Sequence, residues 1–221
     1  SEKAIVVSSA LARDTNNRVG TNFEYTVLSN VLDSSFEELK LRKKNSGFFT
    51  FLNIARLDKN KNQQLLINAF KLIVKRIPNA ILKVAGQGEE FNFLSQLVKE
   101  SGIEQKVIFL GHLSHDQVLQ EMMDCDVFCL SSNYESFGVV LIEALACGKP
   151  VIATRCGGPQ DIVNEQNGLL VDVNDVEEMA SSMIKMYENY YQYKADDIRE
   201  QCLQTYSGRA IADKLIEFYS H

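Results

Sequence analysis

Six short apolar segments of the chain alternate with stretches whose apolar residues recur at helical spacing. Strands and helices that alternate in this way build a parallel, doubly wound sheet with helices on both faces. Ligands of such sheets bind beyond the carboxyl ends of the strands, so we expect site residues in the loops that follow strands. The sequence therefore predicts an α/β fold with its ligand edge at those loops. The six predicted strands are residues 48–55, 80–85, 106–110, 127–130, 151–154 and 168–173.

The two ends of the chain depart from this alternation. Residues 1–33 hold two apolar strands with a helix-like stretch between them, which predicts a strand–helix–strand remnant of a preceding domain and a linker. Residues 34–206 are predicted to form the doubly wound domain, and residues 207–221 a helix whose apolar face returns to the preceding domain. Because the chain begins at Ser1 rather than at a methionine, we expect it to be part of a longer protein.

Composition argues against several classes of function. The 221 residues carry a net charge of −6, which disfavours broad nucleic-acid binding. The basic residues 40–44 are more typical of a solvated helix end than of a polyanion site. Five cysteines without a C-x-x-C pair fit a reducing compartment, and no segment approaches the roughly 18 apolar residues of a membrane span. We therefore expect a cytoplasmic protein.

The first candidate site is the stretch ARLDKNKN at residues 55–62, which follows a predicted strand and precedes a predicted helix. Arg56 offers a planar fork of donors and Lys61 a point charge, a pair suited to two phosphates. The alternative is two exposed cations at a helix start, where cations are mildly unfavourable. That penalty favours a ligand-binding role for both.

The second candidate is AGQGEE at residues 85–90, where Gly86 and Gly88 follow a strand and open a helix. A dinucleotide fingerprint needs a third glycine three places on, and Phe91 stands there instead. The plainer interpretation is a tight turn that lets the backbone approach a ligand or a neighbour. This motif is only supporting.

The third candidate is SSNYESFGVVLIEALACGKP at residues 131–150, which joins a strand to a helix predicted from about Phe137. The first amides of that helix, around Gly138 and Val139, form an anion site with the helix dipole. Glu135 precedes the helix and can accept hydroxyl hydrogen bonds. Glu143 lies about 9 Å further along the axis among apolar neighbours, where a carboxylate is costly unless it is paired or bound to a ligand. A glutamate on the wet face of the helix is the alternative, but the two carboxylates around one phosphate site favour a phosphorylated polyol.

Together these motifs resemble the C-terminal, donor-binding half of GT-B-fold retaining glycosyltransferases of the group 1 class. That class shows two glutamates separated by seven residues, as Glu135 and Glu143 are here, an R-L-x-x-x-K stretch, as at Arg56 and Lys61, and a G-x-G turn. The match covers about residues 30–185. Departures are Ala55 and Asn62 where glycines are usual, a linker SNVLD, and no tryptophan near residues 207–208.

The resemblance implies a Rossmann-like domain and a role for each candidate residue. Arg56 and Lys61 would hold the donor diphosphate together with the first helix amides. Glu135 would hold hydroxyls of the donor sugar, and Glu143 the ribose. Glu135, Arg56 and Lys61 would be the catalytic residues. The remaining donor-binding residues would be Ser136, Phe137, Gly138 and Val139 at the helix start, and the backbone of Gly111, His112 and Leu113 at the nucleobase.

The implied activity is transfer of a hexose from a UDP- or GDP-linked donor to an acceptor hydroxyl with retention, in the synthesis of a cell-surface polysaccharide or glycolipid. The acceptor would bind mainly to the N-terminal half, and the intact enzyme could associate with the inner face of the membrane. An NAD-dependent dehydrogenase would leave Arg56 and Lys61 idle. A non-catalytic nucleotide-binding or assembly module on the same fold stays open.

A metal or other cofactor is not expected. Asp124 and Asp126 match the D-x-D metal motif of a different glycosyltransferase fold, but they lie at the end of a helix and the start of a strand. Both would therefore sit at the amino edge of the sheet, opposite the ligand edge. Arg56, Lys61 and the helix N-terminus already balance a diphosphate.

Overall fold

The computed structural model of the protein describes residues 4–20, 23–42, 44 and 47–220. Strands and helices alternate from residue 49 onward, as the apolar pattern predicts. A short 3₁₀ turn, Tyr190–Gln192, separates the last strand-and-helix unit from the C-terminal helices. The elements in chain order are β1 (Ala4–Val6), α1 (Ser9–Val19), β2 (Tyr25–Val27), α2 (Ser34–Glu37), β3 (Phe49–Ile54), α3 (Gln63–Ile73), β4 (Ala80–Ala85), α4 (Phe91–Glu100), β5 (Val107–Gly111), α5 (His115–Asp124), β6 (Val127–Leu130), α6 (Val139–Ala146), β7 (Val151–Thr154), α7 (Pro159–Ile162), β8 (Gly168–Val171), α8 (Val176–Glu188), α9 (Ala195–Tyr206) and α10 (Gly208–Ser220).

The main sheet is parallel and has the strand order β5-β4-β3-β6-β7-β8. Counted from β3, this is the order 3-2-1-4-5-6 of dinucleotide-binding folds. The chain leaves β3 toward one side of the sheet and returns at β6 toward the other, so β3 and β6 flank the switch point. A crevice opens there beyond the carboxyl ends of the two strands, which confirms the predicted fold class.

Helices cover both faces of this sheet and enclose two apolar clusters. Successive residues of the central strands alternate between the clusters: Phe51 and Val127 face α3, α4 and α8, whereas Leu52 and Phe128 face α5, α6 and α9. All four side chains are fully buried. Strands that are apolar on both sides in this way are typical of a parallel sheet between two helix layers.

Strand bounds agree with the sequence pattern to within two residues. Helix starts and ends differ more. The helix predicted from Phe137 begins at Val139, because Gly138 takes a left-handed conformation (φ 101°) and becomes the N-cap. The regular part of α3 ends at Ile73, and hydrogen-bonded turns continue to Ile77. The helical path does not extend past Ile77, because the residue before a proline disfavours the helical conformation.

The N-terminal strand–helix–strand unit forms as predicted, with β1 and β2 paired in parallel in a separate sheet. The linker after it is anchored by the amide of Leu32, which donates to the carbonyl of Tyr206 at 2.8 Å. The C-terminal helix also forms, with Ile211 buried and Ile216 and Tyr219 exposed. Residues 1–3, 21, 22 and 221 of these two end segments lie outside the described residues.

The basic residues 40–44 were predicted to be a solvated helix end, and Lys40 and Arg42 are exposed, but the segment lies beyond the helix and the Lys44 side chain is largely buried. The helix before them, α2, already ends at Glu37. Arg42 pairs with Asp124 at 2.7 Å, and Lys44 pairs with Asp126 while also donating to the carbonyl of Phe48 at 2.7 Å. Lys43 lies outside the described residues. Because carboxylates stand directly across from them, these cations join the start of β6 to the segment before β3.

The five cysteines lie within the described residues, and all are buried and free. Burial raises the pKa of the Cys125, Cys147 and Cys202 thiols to about 12. Such thiols stay protonated at neutral pH and are unreactive. They are small core residues.

Candidate functional site

A cavity of about 370 Å³ opens beyond the carboxyl ends of β3 and β6, at the switch point of the sheet. Seven of the predicted site residues line it. Around them lie the ends of both central strands and one residue of the linker, Asn30. The seven predicted residues are Arg56, Lys61, Glu135, Ser136, Phe137, Gly138 and Val139.

Larger grooves occur elsewhere among the described residues. One of them, of about 700 Å³, lies between β8 and α8. Its arginine, Arg155, contacts the carboxylates of Asp172 at 2.8 Å and Glu178 at 3.2 Å. Lys185 also lines this groove, but the cavity at the switch point brings two cations together with an uncapped helix N-terminus, so it is the better candidate for an anionic ligand.

Lys61 and Glu135 meet inside the cavity. The ammonium nitrogen of Lys61 lies 2.5 Å from Oε1 of Glu135, which also accepts a hydrogen bond of 2.8 Å from the hydroxyl of Ser132. Lys61 belongs to the loop after β3 and Glu135 to the loop after β6, so the pair joins the two sides of the switch point. The hydroxyl of Ser131 holds the same loops together by donating to the carbonyl of Lys61 at 2.8 Å.

Arg56 stands at the mouth of the cavity with most of its guanidinium unused. Its Nε donates to Oδ2 of Asp58 at 2.6 Å, while the side chain is 77% exposed. Among the described residues, no acceptor bonds its two terminal nitrogens. Burial pushes the pKa of Asp58 upward, but hydrogen bonds from the Lys61 amide and from Arg56 hold that pKa below its ordinary value. Asp58 is thus an ionised anchor for the loop that carries both cations.

The N-terminus of α6 points its first amides at this cavity. Gly138 is the N-cap, and no side chain caps the helix. The amides of Val139 and Val140 donate to no acceptor within the described residues, and both residues line the cavity. An eight-residue helix with free N-terminal amides and no capping carboxylate favours an anion at that end.

Gly157 and Gly158 brace the loop that carries Glu135, although no sequence motif had pointed to them. The amide of Glu135 donates to the carbonyl of Cys156 at 3.0 Å, and the amide of Gly158 donates to the carbonyl of Glu135 at 2.8 Å. A Cβ on Gly158 would lie 2.3 Å from Cα of Phe137. The loop after β7 can approach this closely only with glycine, and the doublet GGP in the sequence was the available signal.

Gly86 and Gly88 contact a neighbouring loop rather than the cavity. A Cβ on Gly86 would lie 1.8 Å from the carbonyl oxygen of Ala55, and one on Gly88 would lie 2.1 Å from that of Leu57. Of the two interpretations of the G-x-G turn, close approach to neighbouring backbone is the one found. The turn therefore packs against the backbone on both sides of Arg56, since Ala55 and Leu57 are its chain neighbours.

Glu143 does not line the cavity. It lies half-buried on α6, and within the described residues no hydrogen bond or ion pair reaches its carboxylate. Burial raises its pKa, His115 opposes that rise, and Asp33 adds to it. A carboxylate kept half-buried without a partner fits a group that awaits a ligand, so its role at the ribose stays a prediction.

The predicted nucleobase edge lies after β5 and also stands apart from the cavity. Gly111 ends that strand with a left-handed conformation (φ 68°), and its carbonyl accepts from the amide of Gly86 at 2.7 Å. His112 is exposed and Leu113 half-buried. These three residues lie at the ligand edge of the sheet, where a nucleobase could extend from the cavity, and their role stays a prediction as well.

Asn53 and Ser132 also line the cavity, although neither was among the predicted site residues. Asn53 is almost fully buried in β3, and its amide nitrogen donates to the carbonyl of Cys129 in β6 at 2.8 Å. This bond ties the two central strands together where they reach the cavity. The signal in the sequence was an asparagine inside the run FFTFLNIA, whose one other polar residue is Thr50.

Comparison with known proteins agrees with this geometry. The family model described as "Glycosyl transferases group 1" matches residues 35–204. The chain belongs to that family. Its sheet and helices are those of one half of a GT-B glycosyltransferase, and membership sets the dehydrogenase alternative aside.

Among curated relatives, N-acetyl-alpha-D-glucosaminyl L-malate synthase of Bacillus anthracis is 31% identical over 99% of this chain and 59% of its own length. Glycogen synthase of Mycobacterium tuberculosis is 26% identical over 89% of this chain and 48% of its own length. Among solved structures, Anabaena HepE in complex with UDP-glucose superposes with a TM-score of 0.82 at 25% identity, over 98% of this chain and 63% of that one. The chain thus spans about half the length of these relatives.

Two further observations concern the part of the chain that the structure describes. None of its helices has the length and apolar character needed to cross a bilayer. Over the same residues, no group of three or more His, Cys, Asp or Glu side chains is arranged to hold a metal ion. Asp124 and Asp126, which match the D-x-D spacing, are at the amino edge as expected and pair with Arg42 and Lys44.

Proposed function

We propose that this chain is the donor-binding half of a retaining glycosyltransferase that transfers a hexose from a UDP- or GDP-linked donor to an acceptor hydroxyl. The observation that carries the proposal is the cavity that joins Arg56, Lys61 and Glu135 to the uncapped N-terminus of α6. Two cations and free helix amides suit a diphosphate, and a carboxylate beside them suits sugar hydroxyls. Family membership supports transfer of a sugar.

Donor binding would divide the Lys61–Glu135 pair between two parts of the ligand. The ammonium of Lys61 turns to the diphosphate, where Arg56 and the amides of Val139 and Val140 also bind. Glu135 keeps the hydrogen bond from Ser132 and exchanges its cation for hydroxyl donors of the sugar. The pair neutralises both groups in the free protein, so neither charge is left buried alone before the donor arrives.

During transfer, the bond between the anomeric carbon and the diphosphate oxygen breaks, and a bond to the acceptor oxygen forms on the same face of the sugar. The departing phosphate oxygen takes the proton of the acceptor hydroxyl. Negative charge grows on the diphosphate as the bond breaks, and Arg56, Lys61 and the α6 amides stabilise it in the transition state. With the donor bound, Glu135 accepts hydrogen bonds from Ser132 and from the sugar hydroxyls, so we assign it to binding rather than to covalent attack on that carbon. Retention then follows from same-face displacement.

In the intact protein, the acceptor would bind to a second half, which corresponds to the part of the relatives that this chain does not cover. The intact protein would work in the cytoplasm, at the inner face of the membrane, on a cell-surface polysaccharide or glycolipid. The donors proposed are UDP- and GDP-linked hexoses.

A thermal-shift panel of UDP-, GDP- and ADP-sugars with this chain, followed by calorimetry of the best ligand, tests the proposal. We expect one class to bind, with affinity carried by the diphosphate, and no transfer by this chain alone. The full-length protein should then transfer that sugar, with the anomeric configuration of the product retained by nuclear magnetic resonance. Binding without transfer by the full-length protein would instead identify a nucleotide-binding module, and absence of binding would contradict the proposal.

A further inference from the structure

The N-terminal unit reaches the cavity loop through one fully buried serine. Ser8 has no exposed surface, and its hydroxyl donates to the carbonyl of Ser136 at 2.5 Å across 128 residues of sequence. The same oxygen accepts from the amide of Leu11 at 3.1 Å and so caps α1. One side chain therefore both starts the helix of the N-terminal unit and holds a residue of the donor cavity.

A second contact fixes the same helix end against α7. The amide of Ser9, the first residue of α1, donates to Oδ2 of Asp161 at 2.6 Å. Asp161 lies in α7, and this helix directly follows the glycine doublet that packs on Glu135. The first turn of α1 thus rests on both loops that shape the cavity, and it cannot shift without disturbing one of these bonds.

The two carbonyls that precede Phe137 accept hydrogen bonds from two different parts of the chain. The carbonyl of Glu135 accepts from the amide of Gly158 at 2.8 Å, and the next carbonyl, that of Ser136, accepts from Ser8. These carbonyls belong to the two rigid peptides between Glu135 and Phe137. Holding both of them restrains the path of the chain from Glu135 to Gly138, the N-cap of α6.

We infer that Ser8 is a positioning residue for the donor cavity, through which the N-terminal unit sets the geometry of Glu135 and of the α6 N-terminus. The inference rests on the proposed function for its effect on donor binding, but the positioning contact itself can be measured without a ligand. Ser8 touches no substrate, so its loss loosens the loop rather than removing a contact to the donor.

Two variants separate this role from simple helix capping. Ser8→Gly removes the hydroxyl but keeps a residue that is tolerated at an N-cap at little cost. Asp175→Ala is the control, because Asp175 caps α8 through the amide of Glu178 at 2.8 Å and, among the described residues, its side chain has no hydrogen bond to a residue that lines the cavity. Both variants are compared by hydrogen–deuterium exchange of the peptide covering residues 131–140 and by calorimetry with the best nucleotide-sugar of the UDP, GDP and ADP panel and its free diphosphate.

Ser8→Gly should speed exchange in residues 131–140 about threefold or more. It should weaken nucleotide-sugar binding by up to about fivefold, since the value of one hydrogen bond is the upper limit for an effect that acts through positioning. Asp175→Ala should change neither. Unchanged exchange in Ser8→Gly, or equal changes in both variants, would overturn the inference. If exchange rises in Ser8→Gly while the unmutated chain binds no nucleotide-sugar, the positioning contact stands and the proposed function fails.

Discussion

The two central strands carry a lysine–carboxylate pair at each end, and the two pairs are built differently. At the amino edge, Lys44 and Asp126 meet beside the starts of β3 and β6, and at the carboxyl edge Lys61 and Glu135 meet beyond their ends. The side chains are 11% and 14% exposed at the amino edge, against 27% and 14% at the carboxyl edge. Burial alone therefore separates the two pairs only slightly.

Hydrogen-bond saturation separates them clearly. Lys44 donates to Asp126, to the carbonyl of Phe48 at 2.7 Å and to the hydroxyl of Thr50 at 2.9 Å, which uses all three of its protons. The amide of Thr50 also donates to Asp126, at 2.6 Å. Lys61 has a single side-chain partner among the described residues. A saturated pair holds structure together, whereas a pair with spare donors can exchange its partner for a ligand.

The largest effect we predict is at the amino edge. Lys44→Met should lower the free energy of unfolding by about 3 kcal/mol or more, because it leaves the Asp126 carboxylate buried without its cation. Urea titration measures the loss, and Lys40→Met, which removes an exposed lysine from the same segment, is the control and should change little. A loss of less than about 1 kcal/mol would mean that the amino-edge pair is not structural.

The next effect is at the carboxyl edge and concerns binding. Arg56→Ala and Lys61→Ala should each weaken nucleoside diphosphate binding by about 1.5–3 kcal/mol, as for charge-assisted hydrogen bonds, with little change for the bare nucleoside. Calorimetry with the two ligands measures the difference. Equal losses for nucleoside and diphosphate would place these cations away from the phosphates.

A smaller and opposite effect is predicted for Glu143, whose carboxylate is half-buried and unpaired within the described residues. Glu143→Gln should stabilise the free protein at pH 7 by about 1 kcal/mol, because it removes a carboxylate that is costly to bury. The same change should weaken nucleotide binding, because the predicted acceptor for the ribose hydroxyls loses its charge. Burial raises the pKa of Glu143 in the folded state, so the ionised group costs stability above that pKa and nothing below the unfolded value near 4.3.

Urea titrations of both proteins between pH 3.5 and pH 7 measure this gain. The stability difference between the variant and the unmutated protein should be largest at pH 7 and vanish at the acid end. A variant that is less stable at pH 7 would show that Glu143 has a structural partner in the folded protein.

The smallest predicted effect is that of metal removal. Donor binding should persist in excess EDTA, because Arg56, Lys61 and the α6 amides supply the charge that the diphosphate needs. Asp124 and Asp126 already hold Arg42 and Lys44 at the opposite edge. Affinity that falls in EDTA and returns with manganese would contradict the assignment of the two cations as sole charge partners.

The fold and much of the site could be predicted from local sequence because both depend on short-range patterns. The apolar run at 127–130 and the loop after it are enough to place Glu135 at the ligand edge, since strand order fixes which edge a loop follows. The doublet at Gly157 and the polar residue Asn53 were visible signals, but their purpose depends on which neighbour approaches them. Glycine and asparagine have several roles, and only the packed structure selects one.

The remaining features join residues that are far apart in the chain. Lys44 and Asp126 are separated by 82 residues, and Ser8 and Ser136 by 128. Residues 40–44 looked solvated because lysines usually are, and a buried carboxylate opposite Lys44 overrode that preference. A pattern along one segment contains no information about such partners. The Lys44–Asp126 pair and the Ser8–Ser136 hydrogen bond could therefore be found only in the folded structure.

Calorimetry of one nucleoside diphosphate, the best of UDP, GDP and ADP, against the unmutated chain, Lys61→Met and Lys44→Met tests the comparison most directly. The two variants make the same change at opposite ends of the same strands. At a temperature where all three proteins are folded, Lys61→Met should bind the diphosphate about tenfold more weakly or worse, and Lys44→Met should bind it like the unmutated chain. Equal affinities for Lys61→Met and the unmutated chain, or equal losses in both variants, would contradict the assignment of the carboxyl-edge pair to a donor diphosphate.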